Sequence, residues 1–365
     1  MNGKTVFEHG GNLYDAIRQK GSSMAELLDF SANINPLGIA ESVRQAILDS
    51  LEDIVHYPDV GAQALKQAIS ECYHVDREWI TVGNGAVETM YILCHMLKPR
   101  RVLVTAPTFS EYERAARASG AAIDYFDLQP DNGFMIDIPV MISQLAGTDI
   151  VFIGNPNNPT GTLLVKRELE PLLTAAREQG TIVVMDESFL DFLTDDSQHT
   201  CRHLVSSYNN LVVVHSLTKF YAIPGLRLGF ALANPEMTRI LHSGKDPWNV
   251  NSLAQSAGIA ALNDQKYRIV SKAFIHKTKD ELYTGLLSLP GVIPFWPSVN
   301  FILINIRGTG MTSEQIRRIM LAHNVLIRDC SNYRGLSPDY IRIAVKRPEQ
   351  NQILIKILRQ VIGDV

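Results

Sequence analysis

The most informative part of this sequence is the run His215-Ser-Leu-Thr-Lys-Phe-Tyr-Ala-Ile-Pro-Gly-Leu-Arg-Leu-Gly229. It follows an apolar, valine-rich segment that is typical of a strand covered on both faces. A lysine just after such a strand is shielded from water, which disfavours its ammonium form and makes the neutral amine available to attack a carbonyl. Ser216 and Arg227 place a hydroxyl and a fixed positive charge on either side of Lys219. These groups suit an aldehyde cofactor that carries a phosphate, and pyridoxal 5′-phosphate (PLP) is such a cofactor.

The same run resembles the lysine segment of the fold-type I PLP enzymes in the aminotransferase class I and II group. In that family the lysine binds the cofactor aldehyde covalently, while the serine and the arginine hold the cofactor phosphate. The resemblance therefore implies these roles for Lys219, Ser216 and Arg227. A lone lysine on a loop is usually solvated, and the lysine–arginine spacing alone would not outweigh that interpretation. The match along the whole run from His215 to Gly229 does outweigh the interpretation as a solvated lysine.

Composition limits the classes of function that the chain can have. Its formal charge is −4 and its pI is near 6.2, so it lacks the surplus of basic residues with which a nucleic-acid-binding protein neutralises phosphates. We expect no membrane span, because no apolar run of about eighteen residues occurs, and we expect a cytoplasmic protein without a signal peptide. The four cysteines are far apart and the ten histidines are scattered, which predicts reduced thiols and no metal site.

Apolar segments alternate with amphipathic ones through the middle of the chain, which indicates a mostly parallel α/β sheet flanked by helices. The predicted strands are Ile80–Gly83, Val102–Thr105, Ile150–Gly154, Ile182–Asp186, Val212–Ser216 and Leu228–Leu232. The predicted helices between them are Ala86–Leu97, Glu111–Ser119 and Arg167–Gln179.

After about residue 263 the pattern changes to one that indicates a smaller α+β domain. Its predicted strands are Val292–Phe295, Phe301–Ile306, Val325–Arg328 and Tyr340–Val345, with a helix that begins at a capping box (Thr312 and Gln315) and a last helix near Gln350–Ile362. The fold class is therefore α/β, and the resemblance implies the fold-type I PLP-dependent transferase fold. We expect a large PLP-binding domain over residues 44–262 and a small domain formed by residues 1–43 and 263–365.

Two further motifs concern the cofactor ring. Asp186 ends an apolar strand, and a carboxylate there can pair with a protonated pyridine nitrogen and keep the ring a strong electron sink. The run Asp186-Glu-Ser-Phe189 matches the family motif that supplies this aspartate, although a solvated loop aspartate is an equal alternative on this motif alone.

The run Asn155-Pro-Asn-Asn-Pro-Thr-Gly161 could be only a tight turn. Its resemblance to the family motif implies that Asn158 bonds the cofactor's 3-oxygen.

The run Gly83-Asn-Gly-Ala-Val-Glu88 lies between a predicted strand and a predicted helix. Small residues at a helix N-terminus let the backbone approach an anion, and the resemblance implies that Gly85 and Ala86 donate to the cofactor phosphate. Phe109 matches the aromatic residue that stacks on the pyridine ring, although an aromatic residue after a strand is more often part of the core.

Tyr57, in His56-Tyr-Pro-Asp59, matches a tyrosine that reaches the cofactor phosphate from a neighbouring subunit. The resemblance therefore implies a homodimer.

Three features indicate a subgroup of the family. The N-terminal part reads His9-Gly-Gly-Asn12 and then Asp29-Phe-Ser-Ala-Asn-Ile-Asn-Pro-Leu-Gly38. Phe189 stands where a tyrosine is common, so this ring cannot bond the 3-oxygen. The run Leu326-Ile-Arg-Asp-Cys-Ser-Asn-Tyr333 is followed by Arg342. Together these resemble the threonine-phosphate decarboxylases of cobalamin biosynthesis, which are relatives of the histidinol-phosphate aminotransferases.

This resemblance implies the decarboxylation of O-phospho-L-threonine to aminopropanol phosphate. Guanidinium groups bind carboxylates and phosphates through paired hydrogen bonds, and the resemblance assigns the substrate phosphate to Arg328 and the α-carboxylate to Arg342. The remaining substrate-binding residues that it implies are His9, Gly10, Asn33 and Asn158.

Three alternatives stay open at this point. One is an aminotransferase of the histidinol-phosphate type. Another is a decarboxylase of phosphoserine that gives ethanolamine phosphate, because the methyl group that separates the two substrates contributes only about 1–3 kcal/mol in a pocket. The last is a protein with this fold that binds or regulates without catalysis, against which the complete set of Lys219, Asp186 and Arg227 argues.

Overall fold

The computed structural model describes residues 10–20 and 26–363. The strands are β1 (Leu28–Asp29), β2 (Ile80–Gly83), β3 (Arg101–Ala106), β4 (Ala122–Asp127), β5 (Ile150–Gly154), β6 (Ile182–Asp186), β7 (Leu211–Ser216), β8 (Gly229–Leu232), β9 (Ile293–Pro294), β10 (Phe301–Asn305), β11 (Val325–Leu326), β12 (Arg328–Asp329) and β13 (Tyr340–Ala344). The helices are α1 (Leu13–Lys20), α2 (Glu41–Asp49), α3 (Gln63–Tyr73), α4 (Ala86–Leu97), α5 (Glu111–Ala118), α6 (Ile138–Ser143), α7 (Lys166–Glu178), α8 (Pro235–Ser243), α9 (Ser252–Asn263), α10 (Gln265–Leu287), α11 (Ser313–Ala322) and α12 (Pro348–Gly363).

The main sheet has seven strands in the order β2-β8-β7-β6-β5-β3-β4. Strands β3 to β7 are parallel, and β8 is antiparallel to both β7 and β2. Successive residues of β6 pack on opposite faces, where Val183 and Met185 meet a core with α3, α7 and α9, and Val184 meets a core with α4, α5 and α8. Helices therefore cover both faces of the sheet, which confirms the α/β class predicted from the continuous apolar runs.

The prediction missed or merged several strands, among them the short β1. The sequence pattern missed β4, an edge strand that pairs only with β3 and in which only Phe126 is fully buried. An edge strand with one open side does not need a continuous apolar run, so its signal is weak. The single strand predicted over 325–328 is two short strands, because β11 pairs with β1 and β12 pairs with β13.

The remaining strands form two smaller sheets. One is antiparallel, in the order β12-β13-β10-β9, and the other is the parallel pair of β1 and β11. The pairing of β1 with β11 joins the described part of the N-terminal segment to the C-terminal part of the chain. The predicted domain boundaries at residues 43 and 263 stay a prediction. Within residues 10–20 and 26–363, no helix has the length and apolar character to cross a membrane, and no cluster of ligand side chains could hold a metal ion.

A buried polar cluster ties together the ends of the strands that carry the site. The Tyr73 hydroxyl donates to Asp191 Oδ2 at 2.8 Å, and His215 Nε2 lies 3.0 Å from the same oxygen. Asp191 follows β6, and His215 immediately precedes Ser216 at the end of β7. Burial raises the pKa of the Asp191 carboxyl, but His215 and Arg268 lower it more, so the net pKa lies well below its usual range. The cluster therefore fixes β6 and β7 relative to α3.

We expect Asp191→Asn to lower the free energy of unfolding by about 3–5 kcal/mol, because it leaves the buried partners of the carboxylate without a counter-charge. The contribution of the Asp191 carboxylate to the free energy of unfolding depends on pH. Because folding lowers the pKa of this carboxyl, the contribution is complete above about pH 4 and decreases as the pH falls below that value. Urea unfolding of the apoprotein at pH 7 and at lower pH measures both effects.

Asp124→Asn is the matched control. Asp124 forms an exposed ion pair with Arg101 at 2.7 Å, and such pairs contribute less than about 1 kcal/mol. Equal losses in the two variants would show that the buried cluster adds nothing beyond a surface pair.

Candidate active site

A cavity lies at the carboxyl ends of the parallel strands, where β6 ends at Asp186 and β7 ends at Ser216. This is the edge at which open α/β sheets bind ligands. The predicted site residues that line it are Gly10, Asn33, Ala86, Phe109, Asn158, Asp186, Ser216, Lys219, Arg227 and Arg342. The topology thus brings together residues that lie more than 300 positions apart in the sequence.

Lys219 lies in this cavity on the turn that follows β7. Its pKa is lowered to about 8, mainly by burial and further by the positive charges of Arg227 and Arg342. The amine is still mostly protonated at neutral pH, but its neutral form, which attacks a carbonyl carbon, is far more populated than in an ordinary lysine.

Asp186 lies in the same cavity and is buried. Its Oδ2 accepts a hydrogen bond of 2.7 Å from the Tyr112 hydroxyl, and its Oδ1 accepts one of 2.9 Å from the Ser188 backbone N–H. Burial raises the pKa of the carboxyl, while the hydrogen bonds from Ser188 and Tyr112 counteract part of that rise. Each carboxylate oxygen retains a lone pair that can accept a further donor.

Close packing around two glycines forms an anion cradle at the N-terminus of α4. Gly85 has a φ of +83°, and a Cβ there would lie 2.5 Å from Arg227 Nη2. At Gly229 a Cβ would lie 2.4 Å from the Ala86 nitrogen. The Ser216 hydroxyl joins this group and lies 2.8 Å from the Thr218 hydroxyl. A helix N-terminus, hydroxyl groups and a guanidinium thus converge as a phosphate requires.

Arg342 lies on the opposite side of the cavity, on β13. Its Nη2 donates to the Ser31 carbonyl at 2.7 Å, and its Nη1 donates to the side-chain oxygen of Asn158. Among the described residues its Nε has no hydrogen-bond partner. The Asn158 amide oxygen thus serves Arg342, which leaves the amide N–H₂ as the group that can donate to a ligand. Gly10 packs here, because a Cβ on it would lie 2.1 Å from the Ser31 oxygen.

Arg328 does not line this cavity. It lies in a neighbouring one, and the two share Phe109 and Tyr333 as walls. Arg328 is the Cα partner of Arg342 in the β12–β13 register, its Nη2 donates to Asn332 at 2.7 Å, and its guanidinium lies 5.1 Å from the centre of the Tyr333 ring. The two arginines are therefore adjacent but lie in separate subsites.

Two predicted residues lie elsewhere. The Tyr57 side chain is 78% exposed, its ring lies 4.6 Å from that of Trp248, and it does not line the cavity of its own chain. His9 lies outside the described residues.

The structure also adds residues that the sequence analysis did not assign. Tyr112 follows Phe109 by three positions at the start of α5, and Tyr333 ends a run that was already singled out. The spacing of Phe109 and Tyr112 was a usable signal, because residues three apart at the start of a helix share a face. No sequence pattern shows that the Tyr112 hydroxyl reaches Asp186.

The sequence matches the family described as Aminotransferase class I and II over residues 25–358, which is most of its length. The chain belongs to that family.

Two relatives and two solved structures illustrate its place in the aminotransferase class I and II family. The chain is 34% identical to the threonine-phosphate decarboxylase of Salmonella typhimurium, over 98% of this chain and 97% of that protein. It is 35% identical to the adenosylcobalamin biosynthesis bifunctional protein CobDQ of Leptospira interrogans, over 95% of this chain and 40% of that protein.

Both solved structures are 30% identical to the chain. The histidinol-phosphate aminotransferase from Clostridium acetobutylicum has a TM-score of 0.87 and covers 93% of this chain and 100% of its own. The L-threonine-O-3-phosphate decarboxylase from Porphyromonas gingivalis has a TM-score of 0.81 and covers 92% of this chain and 99% of its own.

Enzymes of the aminotransferase class I and II family use PLP, and the cavity fits this group. A lysine with a depressed pKa, a cradle at a helix N-terminus that two glycines keep open, and a buried carboxylate with free lone pairs match an aldehyde, a phosphate and a pyridine nitrogen. Phe189 borders the cavity and offers only an apolar ring edge.

We expect Gly85→Ala to weaken PLP binding by about 10- to 100-fold, because the new Cβ displaces Arg227, and a charge-assisted contact contributes about 1.5–3 kcal/mol. Absorbance titration of the apoprotein with PLP measures the affinity. Gly180→Ala is the control, since Gly180 has a φ of +72° with no atom within 4 Å of the new Cβ. It also places a Cβ on a residue with positive φ but displaces no neighbour, so wild-type affinity in both variants would contradict the cradle.

Proposed function

We propose that this chain is a PLP-dependent decarboxylase that converts O-phospho-L-threonine to aminopropanol phosphate and CO2, for assembly of the cobalamin nucleotide loop. The names of its relatives in Salmonella typhimurium and Leptospira interrogans support this reaction and this pathway. The observation that carries the proposal is the pairing of Arg342 with Arg328 in adjacent strands.

The two arginines suit a substrate with two anionic groups. Residues that are directly opposite in antiparallel strands project from the same face, and only 7% of Arg328 and 4% of Arg342 are exposed. In each, Nε has no hydrogen-bond partner among the described residues. Buried cations need anionic partners, and a phosphorylated amino acid supplies a carboxylate and a phosphate a few bonds apart. We assign the carboxylate to Arg342 and the phosphate to Arg328, with Asn33, Gly10 and His9 around them.

The remaining site residues suit the cofactor. When bound, PLP supplies the aldehyde that takes up the substrate amine and the ring that accepts the electron pair of a broken bond at Cα. We assign the aldehyde to Lys219 and the pyridine nitrogen to Asp186. Further proposed cofactor ligands are Gly85, Ala86, Ser216, Arg227 and Tyr57 of a second subunit for the phosphate, Phe109 for the ring face and Asn158 for the 3-oxygen.

Two fixed anion sites determine which bond breaks. Arg342 and Arg328 would hold the two ends of the substrate and fix its orientation in the site, which determines which bond at Cα is broken. In the proposed orientation, the bond between Cα and the carboxylate would break, CO2 would leave, and a proton would replace it on Cα. The Lys219 amine, with a pKa of about 8, can hold and return that proton.

The main alternative is an aminotransferase of the histidinol-phosphate type, which the fold of the Clostridium acetobutylicum enzyme equally supports. It would break the bond between Cα and hydrogen and would need an oxo acid as acceptor. Decarboxylation of phosphoserine is a second alternative, because one methyl group changes binding by only about 1–3 kcal/mol.

We expect the purified holoprotein to release CO2 and aminopropanol phosphate from O-phospho-L-threonine without 2-oxoglutarate, and to do so more slowly from phosphoserine. Lys219→Ala should retain the fold and show no turnover, because no amine remains to bind the aldehyde. Mass spectrometry of the products with both substrates, with and without 2-oxoglutarate, measures this. Turnover that requires 2-oxoglutarate and keeps the carboxyl group would replace the decarboxylase with the aminotransferase.

A second arm of this assay tests the phosphate subsite. Arg328→Gln should raise the KM for O-phospho-L-threonine by about 10- to 100-fold, since a charge-assisted contact is lost, and should leave the affinity for PLP unchanged. Arg307→Gln is the control, because Arg307 is an exposed residue that pairs with Asp339 at 3.3 Å and lines neither cavity. Equal effects of the two variants would remove Arg328 from the substrate site.

We propose that the active unit is a homodimer. Large apolar side chains are exposed close together in the sequence, and a contiguous exposed apolar surface of this kind marks an interface. They are Leu48, Leu51, Ile54, Val55, Tyr57 and Val60. With Trp248 against Tyr57, this surface could deliver Tyr57 to the cavity of a second subunit. The cytoplasmic location stays a prediction.

We expect a dimer in sedimentation velocity and a monomer for Val55→Glu, because the charge would be buried in the interface. Ile269→Glu is the control, since Ile269 is similarly exposed but lies on α10. Mixed dimers of Tyr57→Ala and Lys219→Ala chains should regain activity that neither variant has alone. A monomeric, fully active wild type would contradict the proposal.

A further inference from the structure

We propose that Tyr112 is a positioning residue that keeps the Asp186 carboxylate a weaker base than the pyridine nitrogen it faces, so that the shared proton stays on the ring. The inference rests on the proposed use of PLP and concerns a residue to which neither the sequence motifs nor the family resemblance gives a role. It starts from the hydrogen bond of 2.7 Å between the Tyr112 hydroxyl and Asp186 Oδ2.

The Tyr112 ring is held rigidly. It is 2% exposed, it stacks on Phe152 with ring centres 5.3 Å apart and an interplanar angle of 8°, and it meets Phe109 edge-on at 5.7 Å. Gly154 leaves room for the hydroxyl, because a Cβ there would lie 3.2 Å from the phenol oxygen. A hydroxyl fixed in this way loses little conformational entropy when it donates, so its hydrogen bond persists.

The phenol can only act as a donor here. Burial and the neighbouring Asp186 raise the pKa of Tyr112 well above its usual value, so the hydroxyl stays protonated. The other groups that act on the carboxyl are Ser188, which donates both its hydroxyl and its backbone N–H, and His215, whose charge when protonated favours the ionised carboxylate. Tyr112 is therefore the side-chain donor that contacts Asp186 from α5.

This donor affects where the proton lies between two bases. Burial alone makes Asp186 more basic. A more basic carboxylate would draw the proton from the pyridine nitrogen, and a neutral ring accepts the electron pair of a broken Cα bond less well. Each hydrogen bond to the ionised carboxylate opposes this shift. Removal of one donor should thus move the proton toward Asp186 without disturbing how the substrate is held.

The first test uses Tyr112→Phe, which removes the hydroxyl and retains the ring. With ¹⁵N-labelled PLP bound, we expect the ring-nitrogen chemical shift to move from the protonated toward the unprotonated value. We also expect kcat to fall about 10-fold, as for the loss of one hydrogen bond to a charged group, with KM changed less than about twofold because the ligands of the substrate are untouched. Tyr91→Phe is the control, since Tyr91 contacts Glu111 at 3.3 Å and not Asp186. An unchanged ¹⁵N shift in Tyr112→Phe would overturn the proposal.

The second test does not require the cofactor. A ¹³C NMR titration of the apoprotein, with the Asp186 signal assigned by its loss in Asp186→Asn, should show a higher carboxyl pKa in Tyr112→Phe than in the wild type. A wild-type chain that fails to bind PLP would refute the proposed function, yet this titration would still test the role of Tyr112. An unchanged carboxyl pKa would overturn that role.

Two further variants separate positioning from simple stability. Gly154→Ala keeps the Tyr112 hydroxyl but places a Cβ close to it. The ¹⁵N shift of the ring and the carboxyl pKa of Asp186 should therefore change in the same direction as in Tyr112→Phe. In Asp186→Asn, the added Tyr112→Phe substitution should have little further effect on kcat, because the tyrosine acts through the carboxylate. Additive losses in the double variant would contradict an action through Asp186.

Discussion

The proposed chemistry of this protein depends on the removal of the Lys219 ammonium from water. The lysine follows β7, a strand buried on both faces, and Arg227 and Arg342 place positive charge near it that outweighs the opposing effect of Asp29. Both effects favour the neutral amine, so the nucleophile is prepared before a ligand arrives. The same parallel strands that bury the lysine end at one edge of the sheet, which places Asp186 in the same cavity. Burial of β6 and β7 thus fixes both ends of the cofactor site.

Close packing is the second constraint. The proposed phosphate cradle depends on Gly85 and Gly229 having no Cβ, because a Cβ at these positions would clash with Arg227 and with the Ala86 nitrogen at the N-terminus of α4. Gly154 has a similar role beside the Tyr112 hydroxyl. In each case a small residue creates space for a polar group that carries out the function. The glycines are therefore part of the site although they contribute no side chain.

The two arginines of β12 and β13 connect the fold to substrate selection. Their register makes them neighbours, and the Tyr333 ring separates the subsites in which their guanidinium groups lie. A site with two buried cations at a fixed separation selects molecules by the distance between two anionic groups as well as by total charge. If the two arginines bind the substrate as proposed, this geometry distinguishes a short phosphorylated amino acid from a simple amino acid more directly than the shared cofactor site does.

The sequence by itself determined the α/β class, most strands of the main sheet, the family and its cofactor, because these depend on continuous apolar runs and on motifs whose members are close together in the chain. The roles of the individual cofactor residues stay predictions. It did not reveal the edge strand β4, the split between β11 and β12, or the separate cavity of Arg328, since strand pairing and register are not encoded locally. Only the tertiary structure decided that Tyr112 reaches Asp186 and that Asn158 faces Arg342. Such contacts join segments that are remote in sequence, and their geometry follows from how whole elements pack.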